Sequence, residues 1–328
     1  MFSRFLASGA LAWLAVATAL LLPESTSAQQ FPQKPITIIV SASVGGSIDA
    51  LVRQLVPHWE KTLGTTFVVQ NKEGADGITG VRYFMGRPDD GYTILVATEA
   101  HITATMEKAG LKPEDMELIN LQQFTPTAWI VLESSRFMTM EDLVKEAQEK
   151  PDTISWGSPP TGNPKIAGSA VQKVWNLRLR YVPQAGGAGT DAALLGGHID
   201  IKAGSASDVA EVKGLRVLAV SARERVPFLP DVPTFNEVAA KLGLGGTIPN
   251  LGTGRLIAVR SSMKSKRPEI FQKLAGSYAQ AFNSPAYQEA LKKVGQSLVT
   301  QFSQPAEATN QFREMVADTI KYRQTYRN

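Results

Sequence analysis

The chain has 328 residues, 34 Lys or Arg against 30 Asp or Glu, and a formal net charge of +4. It contains no cysteine, which excludes disulfides, thiolate metal sites and cysteine nucleophiles. Charges of both signs are spread along it, and the densest basic cluster, Lys264, Lys266 and Arg267, has no interleaved aromatics, so no nucleic-acid surface is predicted.

Arg4 precedes an apolar stretch over residues 7–22, and the small residues Thr26, Ser27 and Ala28 follow it. This pattern predicts a secretory signal peptide over 1–28, cut near Ala28. No later stretch is long and apolar enough to cross a bilayer. The remainder is expected to be exported and, by its length, to form two domains.

Ile38, Ile39 and Val40 read as an interior parallel strand. Gly45 and Gly46 permit a tight turn. Ser47 is placed as an N-cap, and Asp49 in the first turn suits the positive helix end. Ile48, Leu51, Val52, Leu55, Val56 and Trp59 then share one helix face, with Pro57 expected to kink it. Small residues before free N–H groups make an anion site, and the expected anion is a carboxylate on a small molecule. The dinucleotide fingerprint needs three spaced glycines and the P-loop a Lys-Ser/Thr; neither is present.

Strands are predicted at 67–69 and 92–97, with a helix over 78–85 between them. The β-α-β-α-β order calls for a parallel sheet with helices on both faces. Ligands in such sheets lie beyond the carboxyl ends of strands, which places Thr98 and Glu99 beside the first loop. A second α/β unit follows. It has a strand at 128–132, a helix opened by Thr139, a strand at 154–156 and a helix over 165–175. Further strands are predicted at 179–182 and 217–220. Two more loops of small residues precede helices in this unit, 157–164 and 183–190, the latter ahead of a helix over 191–195. Three such loops can converge on one cleft, where backbone donors suffice to hold a carboxylate. The proline-rich 225–234 reads as a hinge or crossover. A strand at 255–259 and helices at 268–282, 285–294 and 305–322 complete the chain.

An enzyme reading finds little to build on. His58, His101 and His198 are scattered without metal-ligand spacing. Neither Ser43 nor Ser158 sits in a Gly-x-Ser-x-Gly elbow. Asp49 with His101 is the best acid–base pair on offer. No cofactor or metal is expected.

Several stretches, in order and spacing, carry a resemblance. They are 31–36, Val44-Gly45-Gly46-Ser47-Ile48-Asp49, Asn71-Lys72-Glu73-Gly74-Ala75-Asp76-Gly77, 87–95, 181–187 with 194–200, and 215–221 with Leu229-Pro230-Asp231-Val232-Pro233-Thr234. Together they resemble the Bug family, periplasmic solute-binding proteins of tripartite tricarboxylate transport systems. The resemblance implies an α/β, two-domain type II periplasmic-binding-protein fold that closes like a Venus flytrap. Its implied domain limits are 29–122 with 226–328, and 123–225. It implies a monomer in the periplasm that delivers a small carboxylate to membrane permease subunits. A ligand-presenting receptor for a membrane sensor is the alternative output, and an exported enzyme a more distant one.

The implied ligand contacts are Ser43, Val44, Gly45, Gly46 and Asp49 in the first loop, with Thr98 and Glu99 after the third strand. Ser158, Thr161, Gly162 and Asn163 come from the second loop, Gln184, Ala185, Gly186 and Gly187 from the third, and Ser205 completes the set. The chain departs from the family where an aromatic and Pro-Gly-Gly usually open the first loop; here it reads Ser41-Ala42-Ser43-Val44-Gly45-Gly46. Gln184-Ala185 replaces the usual Tyr-Lys. Glu99 brings a carboxylate toward the site, and Lys165, where the family often has His, is a partner for Glu99 or for the ligand's far end. For both, a solvated surface role is the competing expectation.

Overall fold

The computed structural model describes residues 31–325, Thr161 excepted. The signal-peptide stretch lies outside these residues. From Lys34 onward the described residues form one compact unit.

The first half begins as expected. β1 (Ile36–Val40) is followed by α1 (Ser47–Leu63), β2 (Phe67–Asn71), α2 (Ile78–Met85) and β3 (Thr93–Thr98). β1 pairs in parallel with both β2 and β3. Its β-branched residues are sealed between helix layers, with Ile38, Ile39 and Val40 fully buried. Pro57 does not break α1, which runs on to Leu63. α3 (Glu99–Ala109) starts directly where β3 ends.

β4 (Met116–Leu132) is a 17-residue strand that serves both halves. Its first part pairs antiparallel with β9 (Gly252–Arg260), which also pairs with β3. Its last part pairs with β7 (Ile201–Ser205) and β8 (Leu215–Val220). Pro126 stands where the partners change, a position that tolerates the missing N–H. Between β4 and β9 the second half lays down α4 (Met140–Glu149), β5 (Ser155–Ser158), α5 (Asn163–Val174), β6 (Arg180–Pro183) and α6 (Gly186–Leu195). The short α7 (Asp208–Glu211) and α8 (Phe235–Leu242) follow β7 and β8 respectively. The strand order is β2-β1-β3-β9-β4-β7-β5-β6, with β8 on the free side of β4.

The sequence pattern places this strand only from 128 onward. The missed half, 116–127, carries Asn120, Gln122 and Gln123, all buried. Polar residues at buried positions erase the apolar signature of a strand. Here each finds a partner: Asn120 and Gln122 donate to the Tyr278 and Tyr287 hydroxyls at 2.8 and 2.7 Å. Those tyrosines belong to α10 (Pro268–Phe282) and α11 (Pro285–Lys293), which follow α9 (Ser261–Lys266). α12 (Pro305–Thr325) closes the described chain.

The apolar packing divides the chain later than the sequence limits did. Phe235, Val238, Ala239 and Ile248 pack with Trp129 and Trp156 of the second half. Val226, Phe228 and Val232 pack against Ile130 and Val220 of that half. By this packing residues 226–248 go with 123–225, and the chain returns to the first half through β9. α8 was not foreseen, although its signal was present. Thr234 and Glu237 form a complete capping box at its start.

Candidate functional site

β4 and β9 cross between the halves as a two-stranded ribbon. Gln123 faces Arg255, Phe124 faces Gly254, Thr125 faces Thr253 and Pro126 faces Gly252. Alternation along a strand puts Gln123, Thr125, Thr253 and Arg255 on one face and Phe124, Gly252 and Gly254 on the other.

The first loop is shaped by Asp49. Its carboxylate is buried and accepts from the Gly45 N–H and Arg53 Nε, both at 2.9 Å, and from Asn71 Nδ2 at 3.0 Å. Burial pushes the carboxyl up, but these bonds outweigh it and hold it below the usual range. Asp49 thus builds the loop from within. Gly45 takes a left-handed conformation at φ 78°, and Val44 is 73% exposed. Ser43 is exposed as well. Gly46, not Ser47, is the N-cap of α1, and it offers no side-chain acceptor.

Thr98 was expected to face ligand. Its hydroxyl caps α3, accepting from the His101 N–H at 3.3 Å. His101 Nδ1 stands 2.8 Å from Ser41 Oγ, so Asp49 and His101 take different partners. Glu99 is fully buried, which overturns its solvated reading. It accepts from Thr103 Oγ1 at 3.0 Å and from Asn163 Nδ2 at 3.4 Å. Burial pushes its carboxyl up, against hydrogen bonds from Thr103, Thr319 and Asn163. Asn163 Nδ2 also reaches the Gly252 carbonyl at 2.5 Å. The structure therefore joins Glu99 and Asn163 to each other across the halves.

In the second loop, the Ser158 hydroxyl turns onto the Pro159 carbonyl at 2.8 Å. The Tyr181 hydroxyl donates to the same carbonyl and to that of Ser158. Lys165 does not pair with Glu99; its ammonium lies 3.6 Å from the centroid of the Tyr181 ring. Gly162, at φ 89°, is the N-cap of α5. Thr161 lies outside the described residues.

The third loop is shorter than expected because α6 begins at Gly186, not Asp191. Gln184 is tied by its N–H to the Ser158 carbonyl at 3.0 Å. Ala185 is the N-cap, and Gly186 and Gly187 are exposed. Ser205 ends β7, its hydroxyl 2.9 Å from that of Ser207. Beneath it, the buried Lys202 pairs with Asp191 and Asp208. Burial pushes the Asp208 carboxyl up, more than Lys202 holds it down.

The three loops share one property. α1, α5 and α6 start at Gly46, Gly162 and Ala185, and none has a side-chain cap. They share this with α2, α7, α9 and α10, whereas Thr98, Thr139, Thr234 and Ser284 cap α3, α4, α8 and α11. Uncapped starts present N–H groups with no intrahelical partner.

A cavity of about 820 Å³ adjoins the ribbon on the Arg255 face, and Ser205 lines it. A larger one, about 980 Å³, is lined by Phe124, Arg223, Arg225, Glu307 and Glu314 among others, and by none of the expected site residues. Arg255 and Gln123 went unremarked in the sequence. The available signal was a lone arginine opening an apolar strand. Among the described residues no group of three His, Asp or Glu could hold a metal ion.

A family model described as tripartite tricarboxylate transporter family receptor matches residues 51–324. The UPF0065 protein in the gbd 5′ region of Cupriavidus necator is 29% identical over 322 residues, 94% of this chain and 93% of that protein. The solved structure of a TctC solute binding protein from Polaromonas, without ligand, is 25% identical with a TM-score of 0.75. It covers 90% of this chain and 98% of that one. A Rhodopseudomonas palustris protein solved with adipate has a TM-score of 0.64 at 22% identity, covering 90% and 98%.

Proposed function

Because the chain belongs to the tripartite tricarboxylate transporter receptor family, we propose that it is a periplasmic receptor that captures a small carboxylate between its halves. We propose further that it delivers this ligand to membrane permease subunits and acts as a monomer. The observation that carries the reading is that each of the three small-residue loops runs into a helix start without a side-chain cap. A helix N-terminus presents N–H donors and a positive dipole end, which together suit a carboxylate without any cationic side chain. The adipate bound to a neighbour of the same fold is a ligand of this chemistry. Ser43 to Gly46 and Gln184 to Gly187 are the segments assigned to the ligand. Asp49 holds the first of them in shape, and Asn163 and Glu99 act at the joint between the halves. Closure is favoured by whatever contacts the ligand makes only in the closed form.

The test is a thermal-shift screen of refolded, signal-free protein against small carboxylic acids. A true ligand at a hundredfold over its Kd should add about 2.7 kcal/mol of stability. Asp49→Ala and Gly187→Leu should both keep the fold and weaken that shift. Folded, empty protein that responds to no acid would sink the carboxylate reading.

A further inference from the structure

We infer that Lys202 is a positioning residue of the receptor site: its buried ammonium ties α6, the helix that begins at the third loop, to the Ser205–Asp208 turn on the wall of the cavity of about 820 Å³. What the site holds rests on the receptor reading above; the tie itself does not.

Lys202 stands in apolar company. Its partner in register on β4 is Ile130, and Ala128 stands beside Gly204. Directly opposed residues share a face of the sheet. Ala128 and Ile130 pack in one layer with Ala193 and Leu194 of α6 and Val209 of α7. An ammonium set in such a layer costs free energy unless it is paired. Lys202 is 2% exposed and meets two carboxylates, Asp191 of α6 and Asp208 of α7, the second at 2.5 Å. Gly204 opens the lane to them. A Cβ there would collide with Cε of Lys202 and stand 2.9 Å from Asp208 Oδ2. The lysine stem therefore passes over Gly204, along the strand toward its carboxyl end.

The two carboxylates belong to different segments. Asp191 lies about one and a half turns into α6 from Gly186. Asp208 Oδ2 also accepts from the Ser205 N–H at 3.1 Å, which folds back the turn whose Ser205, Ser207 and Asp208 line the cavity. One ammonium thus stands between the helix of the third loop and the cavity wall. An apolar residue of similar volume commonly serves a core as well as a buried ion pair does. Here it would leave two carboxylates facing each other and nothing to set the two segments at a fixed spacing.

Hydrogen–deuterium exchange of the refolded, signal-free protein reads the tie without any ligand. Lys202→Met should speed exchange at 186–191 and at 205–211 by at least about tenfold, the scale of one charge-assisted contact. α4, in the same half, should stay within about twofold of wild type, because local openings are independent of one another. Asp191→Asn keeps the Asp208 pair and should speed 186–191 alone; it also decides the matter if Lys202→Met does not fold. Gly204→Ala, which crowds the lysine stem and leaves all three charges, should reproduce the Lys202→Met pattern. Calorimetric titration then reads function. Each acid that shifts wild type in the screen, with succinate, adipate and benzoate among the probes, should bind Lys202→Met at least about tenfold more weakly. Loosening of α4 together with the two segments, or no change at either segment, would overturn the tie. Local loosening with unchanged acid affinity would overturn the positioning role. Wild type that binds no acid overturns the receptor reading and leaves exchange to decide the tie.

Discussion

The two faces of the crossing ribbon differ in kind. On one, Gly252 and Gly254 keep the surface flat, and the halves touch directly through Asn163, Glu99 and the Gly252 carbonyl. On the other, Gln123, Thr125, Thr253 and Arg255 carry polar side chains into a cavity. The same four residue pairs thus serve as a joint on one side and as a floor on the other. A receptor that closes needs both: a fixed contact about which to move, and a space whose closure a ligand can reward. Substitutions on opposite faces of neighbouring residues should therefore behave very differently.

The largest difference is expected at Gly252 and Thr253. A Cβ on Gly252 would collide with the Thr125 carbonyl oxygen and crowd the Phe124 ring at 2.8 Å. Backbone cannot yield as a flexible side chain can. Gly252→Val should cost about 3 kcal/mol, the upper end for overpacking. Thr253 is exposed on the cavity face, and Thr253→Val should change stability by about 0.5 kcal/mol or less. Urea denaturation of the two variants measures the contrast directly. Equal losses would mean that the ribbon has no privileged face.

The contact face should also respond to pH through Glu99. Its carboxyl is raised by burial, beyond what Thr103, Thr319 and Asn163 recover, and Arg323 adds a weaker downward pull. Between the ordinary glutamate value and the raised one, the folded protein holds a proton that the unfolded chain has lost. Stability from this group therefore falls as pH rises through that window and is level above it. The slope is at most about 1.4 kcal/mol per pH unit. Glu99→Gln should remove it, leaving the variant less pH-dependent than wild type between mildly acidic and neutral conditions. Parallel curves for the two proteins would show that Glu99 does not titrate in that range.

Most of the frame was legible in the sequence because it rests on periodicity and punctuation. The run Ile38-Ile39-Val40, the helix that starts at Ile78 and the late helices opened by Pro268, Pro285 and Pro305 all stand where pattern placed them. What escaped was the joint. The first part of β4 hid because Asn120, Gln122 and Gln123 are buried polar residues whose amide nitrogens donate to partners more than 150 positions away. No local window carries that information. The site loops were found as loops, but the direction of their side chains was not. Asp49, Ser158 and Thr98 each bond within their own loop or helix start, and Glu99 turns into the core. Short polar side chains compete for nearby backbone groups, and spacing alone does not tell which one wins.

The smallest expected effect sets Lys165 apart from Lys202. Lys165 belongs to α5, the helix of the contact face, and its ammonium lies 3.6 Å from the Tyr181 ring centroid and 5.0 Å from that of Trp156. Burial pushes its pKa down, while ring faces attract a cation by about 0.5–1 kcal/mol. These effects oppose each other, so Lys165→Met should shift stability by about 0.5 kcal/mol or less. Acid affinity should stay within about twofold of wild type, because the cation is directed at Tyr181 and does not line the cavity. The same titrations that test Lys202→Met provide the comparison. If Lys165→Met weakened acid binding and Lys202→Met did not, the ligand would belong to the contact face, and the two faces would have to exchange their roles.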